Sequence, residues 1–417
     1  MRQENRPPVS TGNMQALAGE GNNKQRSVGC ADPGAPPLGP CNDCSLYIHV
    51  PFCASRCGYC DFYSNVTTPD MHARYIEALL CQLEALRPQL GDTRLRTLYF
   101  GGGTPSLLGA RLAPVLDCLR TNFDLDPEAE VTLEANPDSL SAATLDALRP
   151  LGLNRVSLGV QSFDNTLLTR LGRRHSAAQV HAALNLLHDR GIAASIDLMC
   201  ALPGLTDSGW AATLEEAAAA PVAHVSVYPL SIEPGTDFFL QWQRGELLET
   251  EDDRAADQLE QAQHVLEAHG FTRYEISNYA RPGQEARHNT AYWTGAPYLG
   301  LGPSAASMLP TPDGGRRRFV LHETLEDYLA DPTRSLDSDQ AAFSEHLDAD
   351  ARRREDLMLT MRLTSGASKS VVEEAGEAEV FATLIRDGLA TYDESTHHYR
   401  PTQRGWLCAN EVFRRIL

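Results

Sequence analysis

The sequence predicts an α/β protein: an open, partial parallel barrel of about six strand–helix units, (βα)6, followed by a smaller C-terminal domain. Three observations lead there. Between Ser45 and about residue 280, short runs of β character alternate with stretches whose apolar residues recur at helical spacing. That alternation marks crossover units on a parallel sheet. The units number about six, too few for a closed eight-fold barrel. Past Gly302 the texture changes to a mixture of Pro, Gly and charge, and then returns to helix.

Residues 1–44 are rich in Gly, Pro, Asn and Ser without periodicity, and read as a flexible N-terminal extension. Residues 45–50 form the first expected strand and 71–87 the first helix. Strands follow at 95–100, 129–135, 154–160, 192–199 and 222–230, with strand-like character at 271–277. The helices between them span 110–123, 141–152, 176–191, 208–220 and 252–270. A Ser opens the helix at 141, and Gly191 closes the one before the fifth strand, as helix ends favour. Residues 45–280 make the main domain and 281–417 the C-terminal one. In the latter, a helix around 355–363 precedes the segment 380–406, a helix with a hairpin turning near Asp393–Thr396; this order resembles a winged-helix module.

The chain carries a formal charge of −19 at pH 7. Such an acidic balance argues against a nucleic-acid backbone as partner, because that binding needs basic patches. No apolar run reaches the ~18 residues of a membrane span. The first residues lack a secretory apolar region, so a cytoplasmic location is the expectation. Ten cysteines in such a chain do not read as a disulfide framework. Cys81 and Cys118 fall on apolar helix faces, where burial is expected.

The strongest signal is PFCASRCGYCDF, residues 51–62: Cys53, Cys57 and Cys60 in a tight loop just after a strand. Thiolates hold iron–sulfur clusters, and three of them leave one iron of a four-iron cube open. The alternative is zinc, which takes four ligands; Cys41 and Cys44, themselves Cys-x2-Cys, could supply the missing ones. Cys30, Cys41 and Cys44 lie in the extension without an assigned role, a second metal site and a redox site being the open readings. The Gly-rich turn FGGGTPS (100–106) follows the second strand, and glycine lets backbone N–H groups approach a ligand.

This loop closely resembles that of the radical S-adenosylmethionine (SAM) superfamily. The resemblance implies a 4Fe–4S cluster on Cys53, Cys57 and Cys60. It also implies SAM chelated at the open iron, where one-electron transfer can break a carbon–sulfur bond and yield a 5′-deoxyadenosyl radical; ligands that bind SAM do not by themselves say that it is cleaved. It maps SAM contacts onto Gly102, Gly103 and Thr104, onto Glu134 at the end of the third strand, and onto Gln161, Arg173 and Asp197 after the next strands. Tyr47 and Tyr59 match aromatic positions beside the cofactors, with ordinary core packing as the alternative for both.

Within the superfamily, YIHVPFCxxxCxYCDF is similar to the oxygen-independent coproporphyrinogen oxidases and to their heme-chaperone relatives. The oxidases carry another Cys two residues after the third ligand, where this chain has Phe62. Conversely, His288, Asn289, Tyr292 and Trp293 form His-Asn-x2-Tyr-Trp, a motif that resembles the heme-chaperone signature. A neutral imidazole can ligate heme iron and aromatic rings can stack on a porphyrin. The same four residues could instead order a loop and pack a domain junction. His49 is a further possible ligand with a structural alternative. The resemblance thus implies a heme chaperone, with heme and an acceptor protein as partners; coproporphyrinogen decarboxylation is the second reading, and another radical SAM reaction, such as methyl transfer or heme degradation, the third.

Overall fold

The computed structural model describes residues 41–66, 68–336 and 339–417. Most of the expected extension, Cys30 included, lies outside the described residues. The first strand starts at Asp43 rather than Ser45.

Six parallel strands form the centre of one twelve-stranded sheet: β1 (Asp43–Val50), β2 (Arg94–Gly102), β3 (Asp124–Ala135), β4 (Arg155–Gln161), β5 (Ala193–Cys200) and β6 (His224–Pro229). Helices α1 (Pro69–Leu90), α2 (Ala113–Asn122), α3 (Ala142–Leu148), α4 (Ala177–His188) and α5 (Asp207–Ala219) connect them in turn, and α6 (Asp252–Ala268) follows β6. These are the six units expected. Of the strand foreseen at 271–277 only β7 (Thr272–Arg273) forms; it pairs antiparallel with β8 (Asn278–Ala280), just past the foreseen segment.

The sheet continues past residue 280. β9 (Tyr298–Leu301) pairs in parallel with the other side of β1, and β10 (Ala306–Pro310), β11 (Arg316–Val320) and β12 (Phe343–Leu347) extend it antiparallel. The full order is β12-β11-β10-β9-β1-β2-β3-β4-β5-β6-β8-β7.

Side chains alternate across each strand. One face carries Leu46, Ile48, Leu98, Phe100, Val131, Leu133, Val156, Leu158, Ile196, Leu198, Val225 and Val227. These are nearly all fully buried and share one apolar cluster with helix residues such as Leu79, Leu83 and Trp210. The other face is polar although buried: Ser45, His49, Thr97, Glu130, Thr132, Ser195, His224 and Ser226 are all under 9 % exposed. A buried polar face is costly unless its groups are paired, and pairing organises everything on it.

The C-terminal part has its own core around Leu357, Phe381, Leu384 and Val412. Its order is α7 (Ala349–Thr360), a short strand, two helices, and then the hairpin of β13 (Ala390–Asp393) and β14 (His398–Pro401). This is the winged-helix order, with the hairpin turn where it was expected. Arg316 on β11 pairs with Glu355 at 3.0 Å, and Arg318 reaches the same carboxylate at 2.7 Å, tying sheet to helix. Cys81 is exposed, contrary to expectation: the apolar stripe of α1 runs through Tyr75, Leu79, Leu83 and Leu86, and Cys81 lies off it. No helix among the described residues is long and apolar enough to cross a membrane.

Candidate functional site

The cysteine loop leaves the C-terminal end of β1. Phe52–Cys53 and Asn65–Val66 pair as a short parallel ladder, so the loop between them is pinned at its base. Its middle is held from two sides: Gly58 N–H donates to Leu171 O at 3.4 Å, and Phe238 N–H to Gly58 O at 2.8 Å. A Cβ on Gly58 would lie 2.8 Å from the Phe238 ring. Cys53, Cys57 and Cys60 are free and partly buried. Burial pushes the Cys60 thiol up to about 11.

Donors converge on two of these sulfurs. Thr104 Oγ1 lies 3.7 Å from Cys53 Sγ, and Arg173 Nη1 lies 3.6 Å from Cys57 Sγ. Asn136 joins the two donors: its Nδ2 donates to Thr104 Oγ1 at 3.2 Å and its Oδ1 accepts from Arg173 Nη2 at 2.6 Å. Arg173 also reaches Gly159 O at 2.6 Å. A cavity opens beside the loop, lined by Ser55, Cys57, Thr104, Asn136 and Arg173 among others.

The Gly-rich turn presses against the cysteine strand. A Cβ on Gly103 would stand 2.6 Å from Phe52 O, and Gly102 has φ +112° with its Cβ position 2.7 Å from the His49 ring. Its amides are engaged within the protein: Gly102 with Glu134 at 3.0 Å, Gly103 with Val50 O at 2.9 Å and Thr104 with Phe52 O at 2.7 Å. The N–H cradle expected from the glycines is therefore not what the turn offers.

Two carboxylates reach over the polar face. Glu134 accepts from Tyr99 hydroxyl at 2.8 Å, and burial pushes its carboxyl up to about 7. Asp197 accepts from Ser157 Oγ at 3.3 Å, and burial raises it too. Gln161 ends β4 with φ +67°, a left-handed conformation that costs ~1–3 kcal/mol in a non-glycine residue and recurs at functional sites. Tyr47 hydroxyl lies 3.0 Å from His49 Nδ1, and its ring stacks on Tyr99 with centroids 6.1 Å apart. Tyr59 packs near Phe238 and Arg173. His49 is fully buried, its Nε2 3.0 Å from Tyr63 O, and burial lowers it to about 4, keeping it neutral.

The His-Asn-x2-Tyr-Trp motif lies on the seven-residue helix Arg287–Trp293, under the polar face. Glu130 caps this helix, accepting from the Arg287 and His288 amides at 3.0 and 2.9 Å. His288 is 1 % exposed. Its Nδ1 lies 2.7 Å from Thr97 Oγ1 and its Nε2 2.9 Å from Tyr292 hydroxyl, so both nitrogens are engaged. Burial lowers it to about 3, keeping it neutral. Its ring stacks on Tyr99 at 4.9 Å, one layer beneath Glu134. Tyr292 and Trp293 belong to the C-terminal core; Asn289 is partly exposed.

Cys53, Cys57, Cys60, Tyr59, Gly102, Gly103, Thr104, Glu134, Gln161, Arg173 and Asp197 thus gather at the C-terminal ends of β1 to β5, with Tyr47 just below. Cys41 and Cys44 stand at the opposite end of β1. The six steps from Cys44 to Val50, at ~3.3 Å each, hold them ~20 Å away. They cannot complete a zinc site with the loop. Among the described residues, no three His, Cys, Asp or Glu side chains group around a single metal ion. Sequence reasoning missed Asn136, Tyr99, Ser157 and Ser226. The signal for the last three was the two-residue alternation of the strands, as in Ser45-Leu46-Tyr47-Ile48-His49-Val50.

An open parallel sheet with a three-cysteine loop at its carboxyl edge defines the class, and the radical SAM superfamily model matches residues 47–217. The coproporphyrinogen III oxidase HemN of Escherichia coli shares the fold, with a TM-score of 0.76 at 24 % identity over 91 % of each chain. The heme chaperone HemW of Mycobacterium tuberculosis is 39 % identical across 92 % of this chain and 97 % of its own length. HemW of Synechocystis is 36 % identical across 86 % and 89 %. The chain belongs to the HemW family of the radical SAM superfamily.

Proposed function

We propose that the chain is a heme chaperone of the radical SAM type, holding a 4Fe–4S cluster and SAM, binding heme and passing it to an acceptor protein in the cytoplasm. The observation that carries this reading is the match to HemW over both the sheet and the C-terminal part.

The donor set fits the cluster. Cys53, Cys57 and Cys60 would hold three irons, with Thr104 and Arg173 donating to two of the sulfurs. Hydrogen bonds to sulfur tune a cluster's potential. SAM brings a cationic amine and sulfonium, and supplies a carbon–sulfur bond open to one-electron reduction. Glu134 and Asp197 are carboxylates whose burial opposes ionisation, so a cation between them would be welcome. Gly102, Gly103 and Thr104 bring the end of β2 against the cysteine strand; Gln161 and Arg173 flank the same edge, and Tyr47 and Tyr59 wall it. Phe62 stands where the oxidases carry a further Cys, which disfavours coproporphyrinogen decarboxylation.

Heme contact by His288, Asn289, Tyr292 and Trp293 belongs to the same proposal with a stated cost. Ligation through His288 needs its helix to open and Thr97 or Tyr292 to lose a partner, ~1–3 kcal/mol for each buried group left unsatisfied.

The test is anaerobic reconstitution with iron and sulfide, then heme titration and a coproporphyrinogen III assay on the same sample. Stoichiometric heme uptake without protoporphyrinogen formation is expected. Cys53→Ala, Cys57→Ala and Cys60→Ala should each abolish the cluster absorption; unchanged iron content in all three refutes the cluster assignment.

A further inference from the structure

Three rings meet on the polar face beneath Glu134, and one of them touches it. On β2, Thr97, Tyr99 and Gly101 follow at two-residue steps and so share one face. His288 meets the first two at once. Its Nδ1 lies 2.7 Å from Thr97 Oγ1, and its ring stacks on Tyr99 with centroids 4.9 Å apart and planes 22° apart. Tyr47, from β1, stacks on the same tyrosine at 6.1 Å. Gly101 leaves the room into which both tyrosines lean: a Cβ there would stand 2.8 Å from the Tyr47 ring and 2.8 Å from the Tyr99 ring.

The lean delivers the Tyr99 hydroxyl to Glu134 Oε1 at 2.8 Å, while Gly102 N–H holds Oε2 at 3.0 Å. Each carboxylate oxygen keeps a lone pair for a further donor. Tyr99 and Glu134 are partly exposed, whereas His288 is buried behind them. One hydroxyl therefore joins an accessible carboxylate to the buried helix of the His-Asn-x2-Tyr-Trp motif.

We infer that Tyr99 is a positioning residue through which the His288 helix sets the affinity for SAM. His288 fixes the Tyr99 ring, and the Tyr99 hydroxyl fixes Glu134 in the orientation that accepts a donor of SAM. The inference rests on the proposed SAM site and extends it to a helix one layer beneath. Drawing His288 away to ligate heme iron breaks the stack and frees Glu134. Heme and SAM then weaken each other's binding by the same factor.

The test uses the full chain with its cluster reconstituted anaerobically, and equilibrium dialysis of labelled SAM with and without saturating hemin. Tyr99→Phe keeps the ring against His288 and deletes the hydroxyl. It should lower SAM affinity about tenfold, the worth of a hydrogen bond to a charged group. His288→Gln, whose amide can still reach Thr97 and Tyr292, should lower it too, yet add nothing in combination with Tyr99→Phe. Hemin should weaken SAM binding about fivefold or more in the wild type and leave it unmoved in Tyr99→Phe. Melting curves check that each variant is folded. Wild-type SAM affinity in Tyr99→Phe overturns the inference. So do losses that simply add in the double variant, because a loosened fold acts on SAM without passing through the hydroxyl. Hemin bound with SAM affinity unmoved, the losses still not adding, would take His288 out of heme contact and leave its role toward SAM standing. A wild type that binds SAM but no hemin would sink the heme-chaperone reading alone.

Discussion

Asn136 shows how one side chain can serve two distant thiols. Its amide spans Thr104 and Arg173, and each of these faces a different cysteine. Hydrogen bonds of this kind contribute ~0.5–1.5 kcal/mol each. Asn136→Ala should therefore retain iron but shift the cluster's reduction potential, read by anaerobic redox titration, with a small change in melting temperature. A variant that melts normally with an unmoved potential would show that the bridge does not reach the cluster. Glu134 gives a pH prediction. Its carboxyl rises from the usual 4.5 to about 7 because burial penalises the charged form. The folded state then binds the proton more tightly than the unfolded one. Stability from this group is present below pH 4.5 and is lost as pH rises towards about 7. Melting temperatures of the ligand-free protein should fall across that window, and Glu134→Gln should flatten the fall.

At the scale of elements, the Gly-rich turn acts as a spacer. The end of β2 lies so close to Phe52–Cys53 that Gly103 has no room for a methyl group, and the obstructing atom is backbone. Gly103→Ala should destabilise the protein by ~1–3 kcal/mol, as overpacking does, and reduce cluster loading as Cys53 is displaced. Thermal melts and iron content on one preparation check both. Normal iron content at a lowered melting temperature would confine the turn's role to stability. The motif's short helix works as a plug: Glu130 caps it, Thr97 receives His288, and Tyr99 covers the ring. His288→Ala should lower the melting temperature because Thr97 and Tyr292 lose their buried partner. If the Soret band per folded molecule is then unchanged, the motif orders the fold; if it disappears, His288 takes part in heme contact.

For the whole molecule, that plug is also the joint. Tyr292 and Trp293 leave the polar face and enter the C-terminal core, where Arg362 stacks on Trp293 at 4.8 Å. Trp293→Ala should cost ~3–5 kcal/mol, as large aromatic truncations do, and loosen the C-terminal part relative to the sheet. Hydrogen exchange would show protection lost first in residues 349–417. Protection lost evenly across both parts would mean that the joint is not local. Strand β9, returning beside β1, reinforces the coupling: the strand that launches the cysteine loop is flanked on both sides, and its partners come from both halves of the chain.

The sequence by itself determined the six strand–helix units, the C-terminal hairpin and the three-cysteine loop. Each is a pattern written within a few to a few tens of residues: a period of two or 3.6, or a fixed thiol spacing. Tertiary structure decided which polar groups meet. Thr97 and His288 are 191 residues apart, and Arg173 reaches Cys57 across 116; no local period carries such contacts, because they exist only once the sheet has brought distant strand ends together. Closure also separated Cys41 and Cys44 from the loop that their spacing resembles, and it turned His288 inward with both nitrogens engaged. A buried polar face must satisfy its groups internally, and which groups do so depends on strand order rather than on any one segment.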